Sequence, residues 1–462
     1  MAAHCAAYNC LLAPATSPVN YTTPPTNRFE VLQRIELEEA LTPNDPRNVD
    51  TTVARGNEVM LQGLAAKFGV GLSPFSFYPP KKRHVLFFGH IGSGKSTELR
   101  RYAEKLAGAD KFYVVQIDVS IELDRNNLQY ADVLMALAKA LLLRLHDDQI
   151  AFASDKLAPL ERWFTEQVLT EERRKELSMA IEAGAQVGGG IPGLISLFSK
   201  FTSAFKTNTT YKEAFRTVVR NGFTQFASAF NRFLGDAEHA LVQAARGRRV
   251  LFIIDGTDKL SGDDSRRFFV TDATQLLEIE ALVVYTAPLS MKYEGAIPQL
   301  LDSDLVLPLL KLSDIDGNPH PPGMAAMSDM LLRRAARSLF ADDAVVAQLV
   351  TASGGHPREL LRLLKLSCEL MSGNTIDGAV VEKAIAKLAG EFRRWLEADD
   401  YALLVTEYRN RKVLDTQPRA HKLLNNLALL EYNDGSWRRP HPAVRTLEGF
   451  LRADSAASPA ES

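Results

Sequence analysis

Residues Gly89 to Thr97 read Gly-His-Ile-Gly-Ser-Gly-Lys-Ser-Thr, and they constrain the structure of this 462-residue chain more strongly than any other stretch. Before them lies a short apolar run, His84 to Phe88, of the kind found in buried parallel strands. After them, Lys95 to Leu106 has the periodicity of an amphipathic helix. The pattern GxxxxGK[ST] between a strand and a helix is specific for a loop that binds phosphate groups.

The residue types of this loop, which we call the P-loop, account for its affinity for phosphate. Its glycines allow a tight turn in which main-chain N–H groups surround phosphate oxygens, and the N-terminus of the following helix adds a favourable field. The predicted ligands are ATP or ADP with Mg²⁺. Lys95 is expected to reach the β and γ phosphates, and Ser96 to offer its hydroxyl to Mg²⁺. Further contacts are expected from Gly89, His90, Ile91, Gly92, Ser93, Gly94 and Thr97.

The segments on either side alternate between strand and helix patterns. Five apolar segments are predicted as buried strands: 84–88, 112–119, 250–255, 281–286 and 305–309. Helical patterns follow at 128–145 and about 265–279. Such alternation predicts an α/β fold with a parallel sheet.

A long stretch, about residues 147 to 249, exceeds what a β-α-β unit of roughly 30 residues needs, and it is interpreted as a helical insertion. Phenylalanines 215, 223, 226, 230 and 233 recur mostly at intervals of three and four residues, which is typical of one helix face. That face either packs on the core or forms a partner surface. The middle of the insertion combines a charged run, 171–176, with glycine-rich segments around 184–193.

The composition limits the classes of function. A formal charge of −2 gives no overall attraction to nucleic acid or anionic membranes. Cys5, Cys10 and Cys368 are too few and too scattered for a disulfide framework or a metal site, which favours a reducing cytoplasm. Neither a signal peptide nor an uninterrupted apolar run of about 18 residues is found, so no membrane contact is expected.

Asp255 ends a wholly apolar strand pattern, as expected of the acid that orients Mg²⁺ on a strand near the P-loop. The next residue is Gly256, so no acid adjoins Asp255. Asp258 is the candidate for activating water, and the alternative is a cap for the following helix. Thr286 either senses the γ-phosphate or is a satisfied hydroxyl at a strand end. Asp255, Asp258 and Thr286 join Lys95 as candidate catalytic residues, and Ser96 and Asp255 are the candidate metal ligands.

A second glycine turn precedes a helix at Gly355-His356-Pro357-Arg358. This helix is expected to lay Arg358 over the phosphates and to bring His356 or Pro357 near the base. A plain loop-to-helix cap without ligand contact is the alternative.

These motifs resemble those of the AAA+ ATPases, in particular the STAND and origin-recognition branches. Val250 to Leu260 is similar to the DGxDK form of the Walker B motif in bacterial STAND-like ATPases, and Gly355 to Arg358 is similar to their GxP motif. The resemblance covers about residues 30 to 450. It implies an additional-strand P-loop NTPase core with sheet order 5-1-4-3-2, a helical lid and a C-terminal winged helix. The absent acid at Gly256, and the lack of any arginine that can be named as a finger, imply hydrolysis that is slow or activated by assembly.

The resulting domain scheme has five parts. Loose tails are expected at 1–27 and 453–462, a P-loop core at 28–323, a lid at 324–397 and a winged helix at 398–452. In the last part, Asp434-Gly435 between β-type residues is a strong hairpin signal.

Two functions are expected from this scheme. The first is a nucleotide-controlled switch with ATPase activity, which acts through self-association or a protein partner; bacterial relatives often work in conflict systems such as antiphage defence. The alternative is a nucleic-acid ATPase whose winged helix grips duplex DNA, since residues 401–452 carry nine Lys/Arg against five Asp/Glu. The basic residues that would share one side are Arg409, Arg411, Lys412, Arg419, Lys422, Arg438 and Arg439. A small-molecule kinase is a third, less supported class.

Overall fold

The computed structural model describes residues 23–123, 127–168, 193–199, 203, 209–410 and 417–457. The charged run 171–176, most of the glycine-rich segment after it, Arg411 and Lys412 lie outside these residues. The strands are β1 (Val70–Leu72), β2 (Phe75–Phe77), β3 (Arg83–Gly89), β4 (Phe112–Asp118), β5 (Arg249–Asp255), β6 (Leu282–Pro288), β7 (Asp302–Val306), β8 (Leu429–Tyr432) and β9 (Trp437–Pro440).

Five of these strands form one parallel sheet in the order β4-β5-β6-β3-β7. Counted from β3 as the first strand of the sheet and read from the other edge, this is the predicted order 5-1-4-3-2. The predicted α/β class and the additional-strand P-loop topology are thereby confirmed. Every predicted strand is present, and the last one begins earlier than expected, at Asp302 rather than Leu305.

The helices before the lid span Arg28–Arg34, Thr52–Arg55, Met60–Lys67, Lys95–Leu106, Val119–Glu122, Tyr130–Asp147, Ser154–Trp163, 193–199, Thr209–Asn221, Phe223–Gln243, Gly262–Arg266, Ala273–Leu277 and Ile297–Leu300. The helices of the lid and of the residues after the lid span Pro321–Leu332, Asp343–Ala352, Pro357–Leu370, Gly378–Arg393, Ala398–Arg409, Pro418–Asn425, Pro442–Arg445 and Glu448–Ala456. No helix in the described ranges has both the length and the apolar character that crossing a bilayer requires.

Both faces of the sheet are covered. One apolar cluster joins the sheet to the insertion helices, the lid and the C-terminal helices, and a second lies beneath the helix Lys95–Leu106. Phe215, Phe226, Phe230 and Phe233 are buried in the first cluster, so the aromatic face of the insertion packs on the core. Phe223 is only partly buried at its edge.

Residues 35–50 follow the first helix, Arg28–Arg34, as an irregular segment that we call the strap. Two local expectations differ from the structure. The helical pattern 265–279 is split into Gly262–Arg266 and Ala273–Leu277 by a wider turn at Arg267–Thr271. The final helix, Glu448–Ala456, runs past the predicted boundary at residue 452.

Candidate functional site at the P-loop

The P-loop turns tightly between β3 and the helix Lys95–Leu106. Gly92 and Gly94 have φ angles of 83° and 99°, which L side chains rarely adopt. A side chain at Gly92 would also collide with Arg358, since a Cβ built there lies 2.7 Å from Nε of that arginine. Glycine is therefore required at both positions by the backbone.

Lys95 is buried and its ammonium group is fully engaged by the protein. Its Nζ donates to the carbonyl oxygens of Gly89 at 2.8 Å and His90 at 2.9 Å. It also lies 2.7 Å from Oδ2 of Asp258. Burial works to raise the pKa of Asp258, but the charge and hydrogen bond of Lys95, together with Lys259 and Thr286, outweigh it and hold that pKa below its usual range. Lys95 and Asp258 thus form a buried ion pair within the P-loop site.

Lys95, Asp258 and Thr286 lie close together because of the strand order of the sheet, in which β6 lies between β3 and β5. Thr286 near the end of β6 donates to Oδ1 of Asp258 at 3.3 Å and is fully buried. The hydroxyl of Thr257 bonds the main-chain carbonyl of Thr286 at 2.5 Å. Asp258 does not cap the next helix, because Ser261 does so by accepting from the N–H of Asp264.

Asp255 ends β5 beside Ser96. Its pKa is raised first by burial and then by the carboxylates of Asp258 and Asp118, while a hydrogen bond with Ser96 opposes this rise. A hydroxyl and a carboxylate in an acidic surrounding suit Mg²⁺, which prefers hard oxygen ligands and usually takes few from the protein. In the part of the chain that the structure describes, no group of three His, Cys, Asp or Glu residues forms a metal site by itself. Ser96 and Asp255 therefore fit a magnesium ion whose other ligands come from phosphate and water.

A cleft with about 870 Å³ of empty space, partly open to solvent, lies between the P-loop, the strap and the lid. Gly92, Gly94 and Thr97 line it from the core, and Pro357 and Arg358 line it from the lid. The strap is fixed on both sides: the N–H of Leu41 donates to Thr97 Oγ1 at 3.2 Å, and Arg333 of the lid donates to the carbonyl of Pro46 at 3.0 Å.

The turn at residues 354–358 contacts the P-loop directly. His356 caps the helix Pro357–Leu370 through Nδ1, and its Nε2 lies 2.9 Å from the carbonyl oxygen of Ile91. The side chain of Arg358 lies against Gly92 and pairs with Glu38 of the strap at 2.8 Å. Glu38 also pairs with Lys259 at 2.6 Å. Pro357 and Arg358 line the cleft, whereas His356 holds the lid turn to the P-loop backbone.

Residues 398–410 and 417–457 form what we call the C-terminal unit, and its strand β8 contacts both sides of the site. The main-chain N–H of Glu431 donates to Nε2 of His90 at 2.9 Å. The hydroxyl of Tyr432 donates to the carbonyl of Gly354 at 2.6 Å. Burial, followed by the charge of Lys95, lowers the pKa of His90 to about 3, so this histidine is a neutral acceptor at pH 7. The predicted hairpin at Asp434-Gly435 is the β8–β9 pair.

The expectation that Arg438 belongs to a basic surface of the C-terminal unit is wrong. This residue is 1% exposed and forms ion pairs with Glu431 at 2.9 Å and Glu407 at 3.4 Å. It lies inside the unit because two buried carboxylates require a cation. The other described members are also engaged: Arg409 with Asp454, Arg419 with Asp399 and Asp400, Lys422 with Asp400, and Arg439 with the carbonyl of Ile315.

Sequence reasoning missed Arg55, which is buried behind the P-loop. It donates to the carbonyl of Ser93 at 2.6 Å, to that of Pro308, and to Thr51 Oγ1 at 2.9 Å. Burial lowers its pKa to about 10. Glu38 and Glu431 were missed as well. A single charged residue far from the motif carries no local pattern that would have identified any of the three.

The chain matches no family model. It also matches none of the curated proteins. Among solved structures it is similar to the Walker-type ATPase PABY2304 of Pyrococcus abyssi, with 12% identity over 90% of this chain and 100% of that chain and a TM-score of 0.43. It is similar to Cdc6p of Pyrobaculum aerophilum, with 11% identity, 91% and 97% coverage and a TM-score of 0.36. It is also similar to the Aeropyrum pernix ORC1 protein in complex with DNA, with 14% identity, 93% and 96% coverage and a TM-score of 0.36. These likenesses concern the fold alone.

Proposed function

We propose that the protein is a Mg-ATP-dependent molecular switch, in which the nucleotide at the P-loop controls how the lid and the C-terminal unit dock on the core. One observation carries the proposal: β8 is hydrogen-bonded to the P-loop at His90 and to the lid turn at Gly354. A change in either partner therefore acts on the same strand. A ligand shifts such an equilibrium by as much as its affinities for the two arrangements differ.

The charges of the site support ATP as the ligand. Lys95 is paired with Asp258 and Arg358 with Glu38, so each of these two cations has a carboxylate partner that a phosphate group can replace. The Lys95 exchange lies within the core, whereas the Arg358 exchange changes the contact between strap and lid. We therefore expect the triphosphate and the diphosphate to favour different arrangements of the lid. Hydrolysis of ATP to ADP and phosphate would reset the switch.

Residue roles in the reaction follow from the same contacts. Lys95 and the main-chain N–H groups would stabilise the transferred charge, and Ser96 and Asp255 would hold the magnesium ion that supplies charge neutralisation when bound. Asp258, held by Lys95 and Thr286, would orient water once the phosphate draws Lys95 away. Turnover is expected to be slow, since the acid that commonly follows the strand-end aspartate is replaced by Gly256.

The proposal is tested by light scattering after size exclusion with ADP and with a non-hydrolysable ATP analogue. A nucleotide-dependent change in mass or hydrodynamic radius supports it, and identical profiles contradict it. Lys95→Ala is the control variant, because it should abolish nucleotide binding and with it any change.

DNA is included as a second arm, since a nucleic-acid loader remains the competing class. The described basic residues of the C-terminal unit are engaged within the protein, which favours the switch. Affinity for duplex DNA that falls steeply with salt, as phosphate neutralisation requires, would favour the loader instead.

A further inference from the structure

The carboxyl end of β4 reaches the same edge of the sheet as the magnesium-site strand. β4 and β5 pair in parallel along their full length, and Asp118 is the register partner of Asp255. Both carboxylates therefore stand at one level of the sheet, beside the helix Lys95–Leu106 that carries Ser96.

The glycine after Asp255 makes room for residues from β4. Gly256 has a φ of 85°, and a Cβ built on it would lie 2.8 Å from Ser120 Oγ and 3.1 Å from Asp118 Oδ1. The space that an acidic side chain at 256 would enter is thus already filled by polar atoms from the neighbouring strand end. Position 256 therefore carries no carboxylate, and the carboxylate of Asp118 lies next to it.

Asp118 uses only part of its hydrogen-bonding capacity within the described residues. Its Oδ1 accepts from the N–H of Ser120 at 2.8 Å and so caps the short helix Val119–Glu122. Among the described residues the hydrogen bond seen at Asp118 goes to Oδ1 and not to the second oxygen. The buried hydroxyl of Ser120 has no partner there either. An N-cap role explains one carboxylate oxygen and leaves the other available.

A small cavity connects these groups to the magnesium side of the P-loop. Ser96, Arg100, Gln116, Asp118 and Asp255 line its polar part, and its roughly 280 Å³ of empty space includes open solvent. Asp258 is neutralised by Lys95, so Asp255 and Asp118 share the nearby Arg100 as their cation. This surrounding stabilises a further positive charge. Mg²⁺ bound with phosphates typically takes one or two carboxylates and keeps several waters.

We propose that Asp118 is the second carboxylate of the magnesium site, a positioning residue that holds a water ligand of the ion through its free oxygen while Ser96 and Asp255 contact the ion. The inference rests on the proposed function, because it requires a Mg-nucleotide complex at the P-loop. It assigns to β4 a role that the motifs on β3 and β5 do not reveal.

The test measures the affinity of the full chain for a fluorescent ATP analogue, first in EDTA and then across a Mg²⁺ titration. Asp118→Asn and Asp118→Ser both keep a good N-cap but remove the charge. Each is expected to leave the Kd in EDTA within about twofold and to raise the half-saturating Mg²⁺ concentration about tenfold, the usual cost of losing a partner of a metal ligand. Asp342→Asn is the matched control, because Asp342 caps the helix Asp343–Ala352 in the same way at 2.9 Å from the Val345 N–H. It should change neither value.

Two results would overturn the inference. The first is a Mg²⁺ midpoint of both Asp118 variants that equals that of the wild type. The second is a Kd in EDTA that worsens as much as the Kd in Mg²⁺, which is the signature of a purely structural role. A wild-type chain that binds no nucleotide would refute the proposed function itself. A wild type with Mg²⁺-dependent binding and unchanged Asp118 variants would refute only the role of Asp118.

Discussion

The main-chain N–H of Glu431 lies 2.9 Å from Nε2 of His90 and donates a hydrogen bond to it. His90 is the second residue of the P-loop, and Glu431 belongs to β8 of the C-terminal unit. This places a residue of the phosphate-binding loop in direct contact with a part of the chain more than three hundred positions away. Docking of the C-terminal unit and the state of the nucleotide site therefore share one side chain.

Substituting His90 with alanine should loosen β8 without abolishing nucleotide binding. The variant removes the acceptor of the Glu431 N–H but leaves the main-chain N–H groups and Lys95 in place. Limited proteolysis should release the C-terminal unit at least several times faster than in the wild type. The control is His239→Ala on an exposed helix position, which should be indistinguishable from the wild type. Equal cleavage of all three proteins would argue against the contact.

Stability should fall on acidification because of four buried histidines. Burial lowers the pKa of His84 to about 4, those of His90 and His441 to about 3, and that of His356 well below its usual value. In the unfolded chain each titrates near pH 6.5, so between pH 6.5 and 4 the unfolded state binds more protons than the folded state. The free energy of unfolding is then highest above pH 6.5 and decreases as the pH falls, by up to about 1.4 kcal/mol per pH unit for each histidine.

Urea denaturation at pH 7, 6 and 5 measures this dependence. His441→Gln should reduce the slope of the free energy of unfolding against pH, since that position no longer titrates. A free energy of unfolding that is constant, or that increases towards pH 5, would contradict the neutral buried state of these histidines.

Asp258→Asn should destabilise the nucleotide-free protein more than the nucleotide-bound one. Removing one partner of a buried ion pair costs about 3 kcal/mol, and here it leaves the Lys95 ammonium with carbonyl partners only. A bound phosphate chain supplies the missing negative charge. The free energy of unfolding with and without Mg-ADP gives both values. An equal loss in the two conditions would mean that Lys95 does not reach the phosphates.

Gly256→Ala should be destabilising, whereas Gly262→Ala should not. Alanine at 256 must adopt a φ of 85°, at a cost of about 1–2 kcal/mol, and its Cβ would press on Ser120 and Asp118. Gly262 is helical and nothing lies within 4 Å of a Cβ built on it, so alanine there should be neutral or stabilise by about 0.5 kcal/mol. Similar melting temperatures for the two variants would show that the turn after β5 is not strained.

Much of the sheet was predictable because β3, β5 and β6 are almost wholly apolar runs, and β3 and β5 end at a glycine and an acid. The P-loop was predictable because its motif is specific, and Asp255 because it terminates the run 250–255. The antiparallel pair β1–β2 was not predicted, since three-residue strands carry almost no periodicity.

The tertiary partners of charged side chains could not be predicted from the sequence. Arg438 adjoins Arg439 in the chain and was grouped with it, yet one is buried between Glu431 and Glu407 while the other bonds the carbonyl of Ile315. Lys95 was expected to face phosphate, and its pairing with Asp258 depends on β6 lying between β3 and β5. Such choices are set by packing, not by local residue type.

The most direct measurement of the switch is hydrogen exchange at the Glu431 amide with no nucleotide, with Mg-ADP and with a non-hydrolysable Mg-ATP analogue. The amide donates to His90, so its protection reports whether β8 is docked on the P-loop. We expect the ATP analogue to speed its exchange at least tenfold relative to Mg-ADP, with amides of the central strand β5 unchanged. Equal protection of Glu431 in all three states, with nucleotide bound, would contradict nucleotide control of the C-terminal unit.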